Sequence, residues 1–304
     1  MVNQKLWLTY ALITTFFWGV WGAFTGVPAQ NGFPETLTYC VWALTMIPPA
    51  LYALSRGAWN IQTDGKSVLY GLAIGLLGAG GQMLLFHAVR IGPPYLIFPL
   101  IALSPVVTIV LSMLLLKERV SPRGAIGVAL ALVSLPLFDY TGEHATGFGA
   151  SWFVYTLIIM AAWGVQAYFM RFANGFMNAE SIFFYMTITG ILLIPAALYL
   201  TDFAQPINWG LNGPYLSASI QILNSVGALA LVYAFRYGRA IVVAPLANAG
   251  APLITALLSL LILGVMPSSL KGIGIALAFA AAVILALEPD QPITHARAVS
   301  PSDA

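Results

Sequence analysis

Ten stretches of this 304-residue chain run without a single Asp, Glu, Lys or Arg: 6–34, 36–55, 67–89, 91–116, 124–138, 144–170, 181–201, 203–235, 240–270 and 272–287. A bilayer core about 30 Å thick is crossed by roughly 20 apolar helical residues. Eight of these stretches reach that length, and the shorter two, 124–138 and 272–287, reach it with uncharged flanks such as Ser121, Pro122, Ser268 and Ser269. Long unbroken runs also exclude an outer-membrane barrel, whose strands alternate over about ten residues. The pattern predicts an all-α integral membrane protein with ten transmembrane helices.

Composition narrows the function classes. Charged residues make up 7% of the chain, against roughly 25% in soluble domains. With 12 basic and 10 acidic side chains the net charge is +2, so no surface is basic enough to bind nucleic acid by counterion release. The single cysteine, Cys40, forms neither an intrachain disulfide nor a thiolate metal cluster. No cofactor or metal is implied, because P-loop, His-Glu-x-x-His and Gly-x-Ser-x-Gly patterns are all missing from the sequence. The reading is therefore not an enzyme. The apolar stretch after Lys5 is longer than the 7–15 residues usual in a signal peptide and reads as an uncleaved first helix.

Basic residues set the orientation, since short loops rich in Lys and Arg stay on the cytoplasmic side. With the N-terminus inside, Lys5, Arg56, Lys66, Lys117, Arg119, Arg123, Arg171, Arg236, Arg239 and Arg297 are cytoplasmic, and only Arg90 and Lys271 lie opposite. Both termini are thus expected in the cytoplasm, with the chain in a bacterial inner membrane.

An internal repeat divides the sequence. Trp7, Tyr10, Trp18, Gly19 and Val20 recur 145 positions later as Trp152, Tyr155, Trp163, Gly164 and Val165, and Glu35 recurs as Glu180. Ile47-Pro48-Pro49-Ala50-Leu51-Tyr52 returns as Ile194-Pro195-Ala196-Ala197-Leu198-Tyr199, and Arg90-Ile91-Gly92 as Arg236-Tyr237-Gly238. Each half holds an odd number of predicted crossings, so the second enters from the opposite side. Such inverted-topology repeats are the architecture of many secondary transporters and imply alternating access. The expected units are 1–140 for the first five helices, 141–288 for the second five, and 289–304 as a disordered cytoplasmic tail.

The Trp18-Gly19 and Trp163-Gly164 elements, the two five-helix halves and the run Leu114-Leu115-Leu116-Lys117-Glu118-Arg119 followed by Gly127 resemble the drug/metabolite transporter superfamily of EamA type. The second half departs from that run, with Gly264-Val265-Met266 where the first has Lys117-Glu118-Arg119. The resemblance covers residues 6–287. It implies a ten-helix carrier of small solutes whose third, fourth, eighth and ninth helices, with parts of the first, second, sixth and seventh, line a central cavity. Export of an amino acid or related metabolite is the expectation it suggests; uptake of a sugar or other neutral solute is the alternative. A non-transporting membrane receptor or scaffold stands outside that class.

Polar and aromatic side chains deep in the spans are the candidates for the site, because such groups are costly in lipid and face the protein interior. Trp163 and Gln166 share one helical face, as do Trp18 and Trp21 in the first half. Gln82, Gln221, Asn224 and Asn248 complete the expected substrate-binding set, although interhelical hydrogen bonding explains the amides equally well. His87 is the one histidine within a span and is a candidate for proton coupling beside Glu35. Packing explains His87, and capping of a helix start explains Glu35 and Glu180. Trp7 and Trp152 fit the interfacial aromatic belt. Gly71 and Gly75, like Ala276 and Ala280, suit close helix packing within one molecule or in a homodimer.

Overall fold

In a computed structural model, residues 6–92, 94–115, 121–139, 151–263 and 268–286 are described, and among them every regular element is helical. In order these are α1 (Leu6–Phe24), α2 (Val27–Gln30), α3 (Glu35–Thr45), α4 (Ile47–Arg56), α5 (Gly65–Ile91), α6 (Pro94–Ile101), α7 (Ser104–Leu115), α8 (Pro122–Asp139), α9 (Ser151–Ala173), α10 (Ala179–Leu192), α11 (Ile194–Tyr199), α12 (Leu216–Tyr237), α13 (Ala240–Leu263) and α14 (Ser269–Ala286). A single π-helical turn, Leu211–Tyr215, leads into α12. Six helical stretches among the described residues are long and apolar enough to cross a membrane: Leu6–Gln30, Glu35–Arg56, Gly65–Ile91, Ser151–Ala173, Ala179–Tyr199 and Leu211–Tyr237. The chain is thus a multi-pass integral membrane protein. The charged run 117–119, its counterpart 264–266 and the tail 289–304 lie outside the described residues.

Local sequence explains where the helices break. Proline cannot donate a backbone hydrogen bond, and the second crossing bends at Met46 just before Ile47-Pro48-Pro49. The Ala179–Tyr199 crossing bends likewise at Leu193, before Ile194-Pro195. Asp64 caps α5 by accepting from Ser67 N at 3.1 Å, and Asn178 caps α10 by accepting from Ser181 N at 2.6 Å. Helices α5 and α12 both end where a glycine, Gly92 or Gly238, turns to extended backbone.

The packing crosses the two halves of the chain. Helix α1 lies against α12 and α13, whereas α9 lies against α5 and α7. Glycine makes the close approaches possible. A Cβ on Gly19 would strike Ile254 of α13, and one on Gly164 would strike Val107 of α7. At each approach a threonine hydroxyl closes the gap, with Thr255 donating to the Gly19 carbonyl at 3.0 Å and Thr108 to the Gly164 carbonyl at 2.9 Å. Gly71 and Gly75 similarly bring α5 onto Tyr185 and Thr189 of α10, the close packing expected of that pair. Helices α8 and α14 pack on one another at the side of this bundle.

Candidate substrate cavity

A cavity of about 60 Å³ lies between α1, α3, α5, α9, α10 and α12, lined by residues that include Trp18, Trp21, Trp42, Gln82, Trp163 and Gln166. None of its lining residues is charged. All four tryptophans spend their single donor on the protein. Trp18 Nε1 donates to the Asn224 carbonyl at 3.0 Å, Trp21 Nε1 to Gln221 Oε1 at 2.7 Å, Trp42 Nε1 to Asn224 Oδ1 at 2.6 Å and Trp163 Nε1 to the Gly78 carbonyl at 3.3 Å. Indole carbon surface is what these rings have left for a solute. Tied to fixed acceptors, the rings form a pre-organised wall.

Two of these contacts are counterparts in the repeat, at offsets of 145 residues for the tryptophans and 146 for their acceptors. Trp18 reaches position 224 as Trp163 reaches position 78, and Cβ atoms at Gly227 and Gly81 would collide with those same two indoles. The polar lining is unequal. Gln82 is buried, and its Nε2 has no hydrogen-bond partner among the described residues. An unsatisfied buried donor is rare in folded proteins, and here it borders empty space. Gln166 packs over Gly78, where a Cβ would displace its amide.

Of the eight residues expected at the site, six line the cavity: Trp18, Trp21, Gln82, Trp163, Gln166 and Asn224. Gln221 is fully buried but stands beside the cavity. Its amide accepts from Trp21 and donates to Thr25 Oγ1 at 3.3 Å, forming a hydrogen-bonded partition. The side chain of Asn248 lies outside the described residues. Sequence reasoning missed Trp42, Met46, Met170 and Met186, which all line the cavity. Trp42 carried a usable signal, an indole at mid-span on a face shared with Met46.

Beyond the partition a second opening of about 290 Å³ is lined by Thr25, Gly26, Ala29, Glu35, Thr38 and Arg90 among others. Here Glu35 stands in the first turn of α3, where the helix dipole favours a carboxylate as expected, and it also has a partner. The N-terminal cap position of α3 is Pro34, with no side-chain cap bond; the Glu35 carboxylate instead meets Arg90 Nε at 2.5 Å, with His87 Nδ1 3.7 Å from the same oxygen. Glu180, its counterpart, accepts from Tyr233 OH at 2.7 Å, and Asn178 does the capping. His87 packs edge-on to Tyr155 with centroids 5.3 Å apart, as Tyr233 stacks on Tyr10 at 5.2 Å. The belt reading of Trp152 gives way as well. Its side chain is buried against Gly92, and Trp7 packs on Gly238 in the same manner, so glycine at each helix end draws the ring inward. No group of three or more His, Cys, Asp or Glu suited to a metal occurs among the described residues.

Comparison with known proteins agrees with this architecture. The chain is 32% identical over 128 residues to an uncharacterized protein of Methanocaldococcus jannaschii, covering 42% of this chain and 92% of that one. It is 25% identical over 198 residues to Protein LicB of Haemophilus influenzae, covering 55% of this chain and 66% of that protein. One solved crystal structure superposes with a TM-score of 0.68 at 21% identity, covering 92% of this chain and 98% of that chain, which shows a shared fold. The profile of the EamA-like transporter family matches twice, at residues 5–138 and at 150–287. The chain belongs to the EamA-like transporter family, whose members are membrane transporters of small solutes.

Proposed function

We propose that this protein is a secondary carrier, without enzymatic activity, that moves compact organic solutes by alternating access between two inverted five-helix halves. The observation that carries the reading is the uncharged cavity of four tied-off indoles, walled by helices from both matched stretches. In this reading the chain crosses the membrane ten times. The four crossings beyond the six clear ones come from α6 with α7, from α8, from α13 and from α14. Helix α13 has 24 residues and no charge, and α8 and α14 have 18 each, about 27 Å at 1.5 Å per residue. The distribution of Lys and Arg supports a reading with both termini cytoplasmic, in a bacterial inner membrane.

The lining favours a neutral or singly cationic cargo. Indole faces attract cations and apolar surface, and the free Gln82 amide donates to one acceptor on the solute. Export of an amino acid or related metabolite remains within this reading, with the ammonium group on the rings and the carboxylate on Gln82 and Gln166. Uptake of a sugar or other neutral solute is the second reading, supported by the lack of charged lining residues. A cavity of about 60 Å³ holds a few waters, so a larger cargo requires it to widen. The test is counterflow in proteoliposomes across a panel of amino acids, sugars and organic cations. The reading expects exchange of one of these classes and its loss in Trp42→Ala. Failure of every class to exchange would overturn the carrier reading.

A further inference from the structure

The two ends of the helix bundle are built from matched residues held in different arrangements. At one end, Arg236 donates Nη1 to the carbonyls of Asn174 at 2.6 Å and Met177 at 2.9 Å, tying α12 to the turn between α9 and α10. Asn174 adds a bond from Nδ2 to the Val232 carbonyl at 3.4 Å, and Tyr233 holds Glu180. That end is laced shut. The 145- and 146-residue offsets of the repeat place Arg90, Ala29, Gly32, His87 and Glu35 at the corresponding positions of the other end. There Arg90 is turned to Glu35, away from the equivalent carbonyls, and the space beside Ala29 is the opening of about 290 Å³.

We propose that Arg90 and Arg236 are paired latch residues that close opposite ends of the carrier in turn. To close its own end, Arg90 leaves Glu35, crosses the opening and donates to the carbonyls of Ala29 and Gly32, as Arg236 now donates to those of Asn174 and Met177. His87 then takes the Glu35 carboxylate in the way Tyr233 takes that of Glu180. At the far end Arg236 releases its carbonyls and pairs with Glu180. The exchange avoids a naked charge near the membrane, because each guanidinium has a partner before and after it moves. The opening supplies the room: its wall includes the small residues Gly26 and Ala29 beside Phe86 and Val89. The Gly32 carbonyl, which already accepts from Asn208 N at 3.0 Å, keeps a second lone pair. The partition of Trp21, Gln221 and Thr25 separates this opening from the cavity, so entry of a solute from the Arg90 end requires those bonds to part. Both latches rest on the alternating-access reading above.

Spin-label distances test this without a known solute. In a Cys40→Ser background, Gln30→Cys with Ile91→Cys reports the Arg90 end, and Gly175→Cys with Tyr237→Cys reports the Arg236 end. All four positions are exposed. Arg236→Gln is expected to lengthen the second distance and shorten the first together, shifting the population ratio roughly tenfold or more, as loss of hydrogen bonds from a charged donor implies. Arg90→Gln is expected to abolish the short population of the first pair, with partial rescue by Arg90→Lys. If Arg236→Gln fails to fold, Glu35→Gln serves instead, since it frees Arg90 and favours the short population. A lengthened second distance with the first unchanged would show Arg236 to be a local tie and would overturn the latch. Two populations in the parent that no variant shifts would overturn the latch and leave the carrier intact. One invariant population throughout, with no solute exchanged, would overturn both.

Discussion

Asn224 is the hinge of the cavity's hydrogen bonding, and its side chain and backbone make separable contributions. Its Oδ1 accepts from Trp42 Nε1 at 2.6 Å, with both residues 5% exposed, while its backbone carbonyl accepts from Trp18 Nε1 at 3.0 Å. Asn224→Ala removes the first acceptor and leaves the second. The stranded Trp42 donor costs about 1–3 kcal/mol when water cannot reach it. Interhelical hydrogen bonds inside membrane proteins average about 0.6 kcal/mol, reaching about 1.7. A short, buried contact belongs toward the upper part of that range, so the expected coupling between positions 42 and 224 is about 1 kcal/mol. The assay is a double-mutant cycle of Asn224→Ala with Trp42→Phe, read by reversible unfolding in mixed detergent micelles. Once position 42 has no donor, Asn224→Ala should lose about 1 kcal/mol of its effect. A parallel cycle with Trp18→Phe supplies the contrast, because the Trp18 acceptor is backbone, and should be additive within about 0.5 kcal/mol. Equal coupling in both cycles, or none in either, would refute the assignment of acceptors.

Other outcomes follow from single residues. Gly164→Ala drives a Cβ into Val107 and the Ser104 carbonyl and should destabilise by about 1–3 kcal/mol, whereas Gly80→Ala meets nothing within 4 Å and should stabilise by up to about 1 kcal/mol; thermal unfolding in detergent reads both. Gln82→Leu removes an unsatisfied buried donor, so unfolding should be unchanged or improved while affinity for a transported solute falls, as read by quenching of the cavity tryptophans. Replacing His87 with Gln should leave downhill flux within a few-fold of the parent in liposomes without a pH gradient, since neither His87 nor any other titratable group is among the residues lining the cavity; accumulation driven by protons and lost in that variant would overturn this. At Asp64, hydrogen bonding by Ser67, from its side chain first and then from its N–H at 3.1 Å, holds the carboxyl below the ordinary carboxylate range. The capping contribution is therefore complete above that ordinary range and fades as pH falls through the lowered value. Hydrogen-exchange protection at the first turn of α5, taken relative to the intrinsic rate at each pH, should fall on acidification in the parent but not in Asp64→Asn.

Legibility in the sequence followed the physical signal each residue carries. The apolar runs and recurring Trp-Gly elements exposed the membrane class and the family, because hydrophobic length and glycine contacts are local properties. The wall residues Trp163 and Gln166 were legible because repetition pointed at their face. Trp42 had only its mid-span place on the Met46 face to mark it, since position 187 of the second half holds Thr and gives it no echo. Methionines at 46, 170 and 186 are indistinguishable in sequence from ordinary core. Gln221 was placed on the correct stripe with solute binding and interhelical hydrogen bonding left as equal readings, because the partner that claims its amide, Trp21, is 200 residues away. Glu35 was read only in part for the same reason: its place in the first turn of α3 was legible as helix electrostatics, but its pairing with Arg90 was not. The joint recurrence of Glu35 with Arg90 and Glu180 with Arg236 was the signal that a pairing existed.

The crossing of the two halves also bears on how the protein is made. Helix α1 is synthesised first, yet the acceptor for its Trp18 lies 206 residues downstream and that for Thr15 lies 231 downstream. At about 5–20 residues per second, the first helix waits roughly 10–45 seconds in the bilayer before its partners emerge. During that interval Thr14 and Thr15 have only carbonyls of their own helix, Tyr10 and Ala11, to bond, and its glycines face lipid. Newborn chains are thus committed to a long half-assembled stage, in which an insertase or a second nascent copy has access to a surface that the finished carrier never shows.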